Sequence, residues 1–386
     1  MVHCSGAILG GCMSQRSKPP FRADQVGSLI RPDNVRQARK DFEAGKLPEE
    51  ALIEIQREAI PAVVKLQEDL GFKAVTDGEY NRGGWQRDFL LSFENVAMTP
   101  SKVPVRFHTA DGVVLQQPPA MQITGKLARV RPIFVDDFKF LQSVISPGTT
   151  PKITIPSPTI LHFRGGREAI DAKAYPTLDS FYADLARIYR EEIADLAAAG
   201  CRYLQIDETN LAYLCDPALR EHARSIGEDP DALLRTYGEV LNDVISGKPD
   251  DMTVCIHLCR GNYGGAWVAE GGYEPVAKVL LQDINADGYF MEYDSDRTGG
   301  FEPLRHLPPG KTVVLGLITS KSGALESKDA IKRRIEEAAK IVPLDQLALS
   351  PQCGFASGIE GMAMSIEQQN AKLKLVVETA RDVWGA

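Results

Sequence analysis

TVCIHLCRGNYGG (253–265) and DGYFMEYDSD (287–296) are the stretches from which the rest of the chain is read. Each opens as a short apolar run rich in β-branched or aromatic residues and closes on polar ones. That is the pattern of a parallel strand buried on both faces. The first run ends in an H-x-C pair, His257 and Cys259, and the second at Glu292. A third run, LALSPQCG (347–354), delivers Cys353 just past its end. One imidazole, two thiolates and a carboxylate are ligand types that suit Zn²⁺. The same residues also fit a packed core, where Cys255, Cys259 and Cys353 are small buried side chains and His257 is a satisfied strand-end histidine. The pair by itself leaves both readings open.

Working outward, five more runs have the same character: FRADQVGS (21–28), KAVTDGE (73–79), KITIPSP (152–158), RYLQIDE (202–208) and TVVLGLI (312–318). With the first three they make eight. Segments of helical periodicity separate them, at 48–71, 177–200, 229–247, 273–284, 327–342 and 365–384. Pro61 is expected to kink or break the first. Gly200 stands as the residue that ends the second, and Asp229 and Ser327 as caps. Eight strands with intervening helices predict an α/β fold, a single (β/α)8 TIM barrel. The section from about Asp88 to Thr150 does not fit one βα unit. Within it VPVRFHTADGVVLQQ (103–117) has a D-G turn between alternating runs, which predicts a β-hairpin insertion after the second strand. No internal repeat or linker divides the chain. The expected organisation is a disordered tail over 1–20 and one barrel domain over 21–386.

Bulk properties narrow the function. The chain has 386 residues, 44% hydrophobic and 25% charged, with a formal net charge of −8. An acidic balance argues against a nucleic-acid partner. No apolar run approaches the roughly 20 residues that span a bilayer. The first residues lack a basic leader, and the 7 cysteines follow no framework spacing, so a reducing cytoplasmic setting without disulfides is expected.

In a barrel of this kind the C-terminal strand ends converge on one face. The polar residues there are Ser28, Asp77, Glu79, Asp207, Glu208, His257, Cys259, Glu292, Asp294 and Cys353. Singly, each acid reads as a solvated or helix-capping group; together they read as a site. Three anionic ligands and a neutral imidazole around Zn²⁺ leave a net charge of −1. So electron-rich a shell is a poor source of hydroxide but leaves an added thiolate nucleophilic. Alkyl transfer to a zinc-bound thiolate is therefore expected over hydrolysis, with Glu292 the ligand most easily displaced. The loop TDGEYNRGGWQRDF (76–89) offers Arg82, Trp85 and Arg87 either to the pocket or to the surface.

At this point the set VGS (26–28), DGE (77–79), QIDE (205–208), H-x-C (257–259), Glu292 and PQCG (351–354) resembles cobalamin-independent methionine synthase. The match is to its C-terminal catalytic barrel, and to the short stand-alone relatives that lack the N-terminal half. It runs from about Phe21 to the end of the chain. The resemblance implies Zn²⁺ on His257, Cys259, Glu292 and Cys353, homocysteine held by Ser28, Glu79 and Asp207, and Phe163 as the aromatic that faces the methyl donor. Glu79 and Asp207 are also the residues it implies for catalysis. The donor is then a methyl-folate or a methyl-corrinoid. The sequence departs from the family at Thr209, where a proline is usual, and at GLITSK (316–321), where Thr319 or Ser320 stands in place of a histidine. His162 is a conceivable replacement, against a packed or capping role for it.

Three other readings compete. A thiol alkyltransferase resembling the epoxyalkane:coenzyme M transferases shares the ligand pattern, but a sulfonate would want cations where Glu79 and Asp207 stand; Arg82, Arg87, Arg260 and Arg297 keep it in view. A non-catalytic barrel with structural zinc would draw its ligands from a local cluster. A metal-free barrel resembling uroporphyrinogen decarboxylase would leave the thiols idle.

Overall fold

The computed structural model describes residues 16–385 apart from 102, 103, 110, 361 and 362. Most of the expected tail over 1–20 therefore lies outside the described residues. Residues 16–20 lie against the fold, with Arg16 donating to Pro20 O at 3.0 Å and to Thr312 Oγ1 at 2.7 Å.

In chain order the strands begin with β1 (Ala74–Val75), β2 (Phe93–Thr99), β3 (Val105–Thr109), β4 (Gly112–Gln116), β5 (Ala120–Arg129) and β6 (Thr150–Pro151). They continue with β7 (Ile153–Pro156), β8 (Tyr203–Glu208), β9 (Thr253–Leu258), β10 (Gly288–Glu292), β11 (Thr312–Ile318) and β12 (Leu347–Pro351). The last six form one parallel sheet in the order β12-β11-β10-β9-β8-β7. Every residue of β7, β8, β10, β11 and β12 is buried, which is why these runs are almost unbroken apolar sequence.

Eight ladder strands were expected; the first two runs differ. KAVTDGE pairs only as β1, parallel to β6, which leads directly into β7. FRADQVGS forms no ladder strand. It touches β12 through the single bridge Ala23–Leu349, with Asp24 N donating to Leu349 O at 3.0 Å. On its other side Thr76 Oγ1 donates to Gly27 O at 2.7 Å, and Leu29 N to Gly78 O at 3.0 Å. Side chains have taken the backbone groups that a ladder would use. The Asp24 carboxylate accepts from Phe21 N and Gln25 N, and from Tyr203 Oη.

Two cores result. The larger lies between the sheet and the helices. The smaller is separate and consists of Phe21, Val26, Ala74, Tyr203, Cys255, Phe290, Val314 and Ala348, from seven of the eight runs. Lys152 reaches the same region, paired with Asp24 at 3.2 Å and 4.0 Å above the Phe290 ring. Both charges are fully buried, and the pairing offsets their desolvation.

Helices occupy Glu49–Leu70, Leu178–Ala198, Pro230–Ile245, Lys328–Ala339 and Ile366–Trp384, close to expectation. Asp229 caps its helix by accepting from Asp231 N and Ala232 N, and Ser365 forms a reciprocal capping box with Gln368. Pro61 does not break its helix. It is exposed, so the hydrogen bond it forfeits lies on the wet side, while Ile60, Val63 and Val64 anchor the buried side across it. The segment 273–284 forms only a wide π-type turn, Val279–Asp283, in place of a regular helix. The expected insertion comes after β1. It consists of the antiparallel pair β2–β5 enclosing the tight hairpin β3–β4, whose turn closes at Thr109–Gly112.

Candidate functional site

Alternation along the strands selects which side chains meet. Successive residues of a strand point to opposite faces, so positions two apart share one. Cys255 and Phe290 lie in the smaller core, and two residues further on come His257 and Glu292. On β8 the same steps lead from Tyr203 to Gln205 and Asp207, and Asp207 stands opposite His257 in the ladder. Cys259 comes just after β9 and Cys353 just after β12.

His257, Cys259, Glu292 and Cys353 each offer one ligand atom, and the four atoms all lie within 4.8 Å of one another. The two sulfurs are 3.4 Å apart, far beyond a disulfide bond of about 2.05 Å. The hydrogen bond between them holds Cys259 well below the usual thiol range and Cys353 well above it. Both ring nitrogens of His257 are buried without a hydrogen-bond partner. Leaving such groups bare costs about 1–3 kcal/mol each. A borderline-soft cation with mixed N, S and O ligands would satisfy them, and the donor set fits Zn²⁺. Glu292 is fully buried. Its Oε1 accepts from Arg260 N at 2.8 Å and its Oε2 from Arg297 Nη2 at 3.0 Å.

A cavity of about 1230 Å³ opens above this cluster. Its lining brings together Ser28, Glu79, Phe163, Asp207, His257, Cys259 and Cys353, while Glu292 sits behind the wall. Glu79 holds a left-handed backbone at φ +60°, a conformation that a non-glycine residue adopts only when the surroundings impose it. Its Oε1 accepts from Thr154 Oγ1 at 2.8 Å, and its Oε2 is buried with no partner. The Asp207 carboxyl accepts from Gln205 Nε2 at 2.6 Å. Burial pushes its pKa up to about 7, the nearby Glu79 adds to this, and His257 opposes it. Two carboxyl groups facing one cavity make a receptor for a cationic group. Ser28 packs so tightly under Gly354 that a Cβ at 354 would run into its hydroxyl. Phe163 forms an aromatic wall with Tyr213 and His222, at centroid distances of 5.8 and 6.0 Å.

Other strand-end polar residues turn out to be framework. Glu208 is fully buried and accepts from Ser157, Thr159 and the amides of Asn210 and Leu211. Asp77 caps the turn at Glu79, accepting its N–H at 2.8 Å. Asp294 is tied to Arg297. His162 lies fully buried between Tyr237 Oη, at 2.8 Å, and Glu228, at 3.3 Å, in the packed role set against the catalytic one. Arg82 is buried against Thr154, whereas Trp85 and Arg87 line the cavity. Thr319 and Ser320 stay off the cavity wall; Ser320 bonds Gln352.

Sequence reasoning missed the roof. His108 on β3 bridges to Trp267, with backbone hydrogen bonds of 2.7 and 3.0 Å and rings stacked at 5.9 Å. Phe107 and His108 join the cavity lining. The D-G turn announces the hairpin, but nothing local says where it folds back. No described helix is long and apolar enough to cross a membrane.

Known proteins share this architecture. The family model described as "Cobalamin-independent synthase, Catalytic domain" matches residues 21–382. The Bacillus subtilis protein YxjG, of uncharacterised function, is 44% identical over 96% of this chain and 96% of its own. A Listeria monocytogenes crystal structure, provisionally described as a vitamin-B12-independent methionine synthase, superposes with a TM-score of 0.76 at 37% identity, covering 96% of this chain and 99% of that one. The 5-methyltetrahydropteroyltriglutamate–homocysteine methyltransferase of Bacillus licheniformis is 25% identical over 95% of this chain, which spans 43% of that longer protein.

Proposed function

The chain belongs to the family of cobalamin-independent methionine synthase catalytic domains, and on that premise we propose that it transfers a methyl group to the sulfur of homocysteine, giving methionine. His257, Cys259, Glu292 and Cys353 would hold Zn²⁺. The observation that carries the proposal is the pairing of this cluster with the unpartnered Glu79 Oε2 and the Asp207 carboxyl in one cavity. A Zn²⁺ ion there would supply a site at which a thiol loses its proton yet stays nucleophilic.

The remaining work falls to the chain's own residues. Glu79 and Asp207 grip the ammonium group of the amino acid and so aim its sulfur at the cluster. Ser28, under Gly354, lets the backbone approach the carboxylate. The methyl donor, a methyl-folate or methyl-corrinoid, lies under the hairpin against Phe163. The thiol half of the site is thus fixed by strand ends and the donor half by the insertion.

The same proposal extends to the fold. The eight runs close into a single (β/α)8 barrel, one domain over 21–386, with the small separate core as its interior. A cytoplasmic setting goes with it. A sulfonate-bearing thiol fits less well. Arg82 is engaged by Thr154, Arg297 by Glu292 and Asp294, and Arg87 by Glu43. The Arg260 guanidinium has no hydrogen-bond partner among the described residues, but it lies fully buried over the Tyr273 ring and off the cavity wall.

Metal analysis and a donor screen test the proposal. The purified protein is expected to hold about one zinc per chain. Homocysteine is expected to accept methyl from at least one of methyl-folates of differing glutamate length, methylcobalamin or S-methylmethionine. Absence of metal, or transfer to coenzyme M and not to homocysteine, would overturn it.

A further inference from the structure

Within the cluster, Glu292 differs from its three neighbours in having a second set of strong partners. The two thiols bond one another, Cys259 also accepts from Gly261 N at 3.4 Å, and the His257 nitrogens have no partner. Glu292 accepts from the Arg260 amide and from a guanidinium. That guanidinium is itself held firmly. Arg297 donates to Asp294 Oδ1 at 2.6 Å and to Ser295 Oγ at 2.5 Å, and its carbonyl accepts from Gly271 N at 2.8 Å. It lies 5.4 Å from the Trp267 ring centroid with its side chain only 10% exposed. A fixed cation thus stands beside the one ligand whose departure would strand a negative charge in the interior.

We propose that Arg297 is a positioning residue that receives the Glu292 carboxylate when a substrate sulfur takes its place in the cluster. The inference rests on the thiol-methylation reading and adds to it the group that makes the exchange reversible. In the exchange the thiol S–H bond breaks and its proton passes to water in the open cavity. The sulfur takes the position that Glu292 gives up, and the carboxylate keeps its charge against Arg297. One anion replaces another, so the charge of the cluster does not change. Without Arg297 the displaced carboxylate would be buried beside Asp294, with the Arg260 amide as its one remaining hydrogen-bond donor among the described residues. The Arg260 guanidinium would be a nearby charge that does not hydrogen-bond it. Glu292 would then stay in the cluster, holding the metal at least as well and yielding less readily to a thiol.

The test uses Co²⁺ in place of zinc, in the wild type, Arg297→Met and Arg297→Lys. Metal affinity is read by chelator competition, and thiol entry by the rise of the sulfur-to-cobalt absorption above that of the two cysteine ligands as homocysteine is added. Arg297→Met is expected to keep wild-type or tighter metal affinity while needing roughly tenfold or more homocysteine for the same band. Arg297→Lys, which restores a charge, is expected to fall between. A wild-type titration curve in Arg297→Met would overturn the proposal. So would parallel loss of metal and thiol binding in both variants, since that marks a merely structural ion pair. If the wild type binds no cobalt, or shows no change in the band with homocysteine, the thiol-methylation reading fails and this inference falls with it. A wild-type response matched by Arg297→Met removes this inference alone.

Discussion

The floor and the roof of the cavity are built by opposite means. The floor comes from residues at the ends of β8, β9, β10 and β12, which are locked in a continuous parallel ladder and almost wholly buried. The roof comes from the insertion and the loop after β9, joined by the isolated bridge between His108 and Trp267. There Val113, Val114 and Leu115 are 57%, 47% and 62% exposed. A ladder fixes atoms to within fractions of an ångström, as a metal and a reacting sulfur need; a hairpin can change sequence and pose without disturbing it. On the proposed function, the difference implies that the bond-making chemistry and the choice of donor are separable in this chain.

The most damaging test of that separation strikes the floor. Cys353→Ser and His257→Ala should each lower metal affinity by more than about a hundredfold, since loss of even an outer partner of a ligand costs roughly 10–100-fold. Metal analysis after gel filtration checks this, and undiminished zinc in both would refute the ligand assignment. Next comes Glu79→Gln. It should raise the homocysteine KM by roughly 10- to 100-fold, the worth of a charge-assisted hydrogen bond, with metal content unchanged. A smaller step is expected at the roof. Phe107→Ala should raise the KM for the methyl donor about three- to tenfold, as for loss of one aromatic contact, and leave homocysteine binding alone. If it weakened homocysteine equally, floor and roof would be one unit. Least in size is a protection effect. After chelation, alkylation should reach Cys259 well before the buried Cys201, Cys215 and Cys255, and zinc should suppress it. Peptide mass spectrometry reads the order, and equal labelling of Cys255 would deny that the strand interiors are closed.

The sequence made the floor legible because parallel strands buried on both faces write themselves as apolar runs, and the site residues stand where those runs end. H-x-C, QIDE and Glu292 needed no tertiary information to be noticed. Which acid of QIDE faces the cavity did need it: Asp207 stands opposite His257, while Glu208, one residue on, points the other way and saturates its oxygens in the framework. The first run misled because Asp24 and neighbouring side chains replace ladder hydrogen bonds, an exchange that no periodicity reports. The helix Asp33–Glu43 went unread since only Val35, Ala38 and Arg39 of its residues are buried, too sparse an apolar stripe. The roof was least legible. His108 meets Trp267 across more than 150 residues, and an alternating hairpin sequence carries no address.

The bridge between Ala23 and Leu349 has a consequence for how the chain is made. Its partners lie more than 300 residues apart, so this side of the first run finds its neighbour only after the last strand has been synthesised. At ordinary rates of translation that wait is on the order of tens of seconds. During it the apolar surface of Phe21 and Val26, and the edge of the nascent sheet, stand open to solvent or to chaperones. Ser28 then settles under Gly354 in the same closing event that brings Cys353 to its partners. The four-residue cluster therefore cannot be complete until the last strand of the sheet has been made.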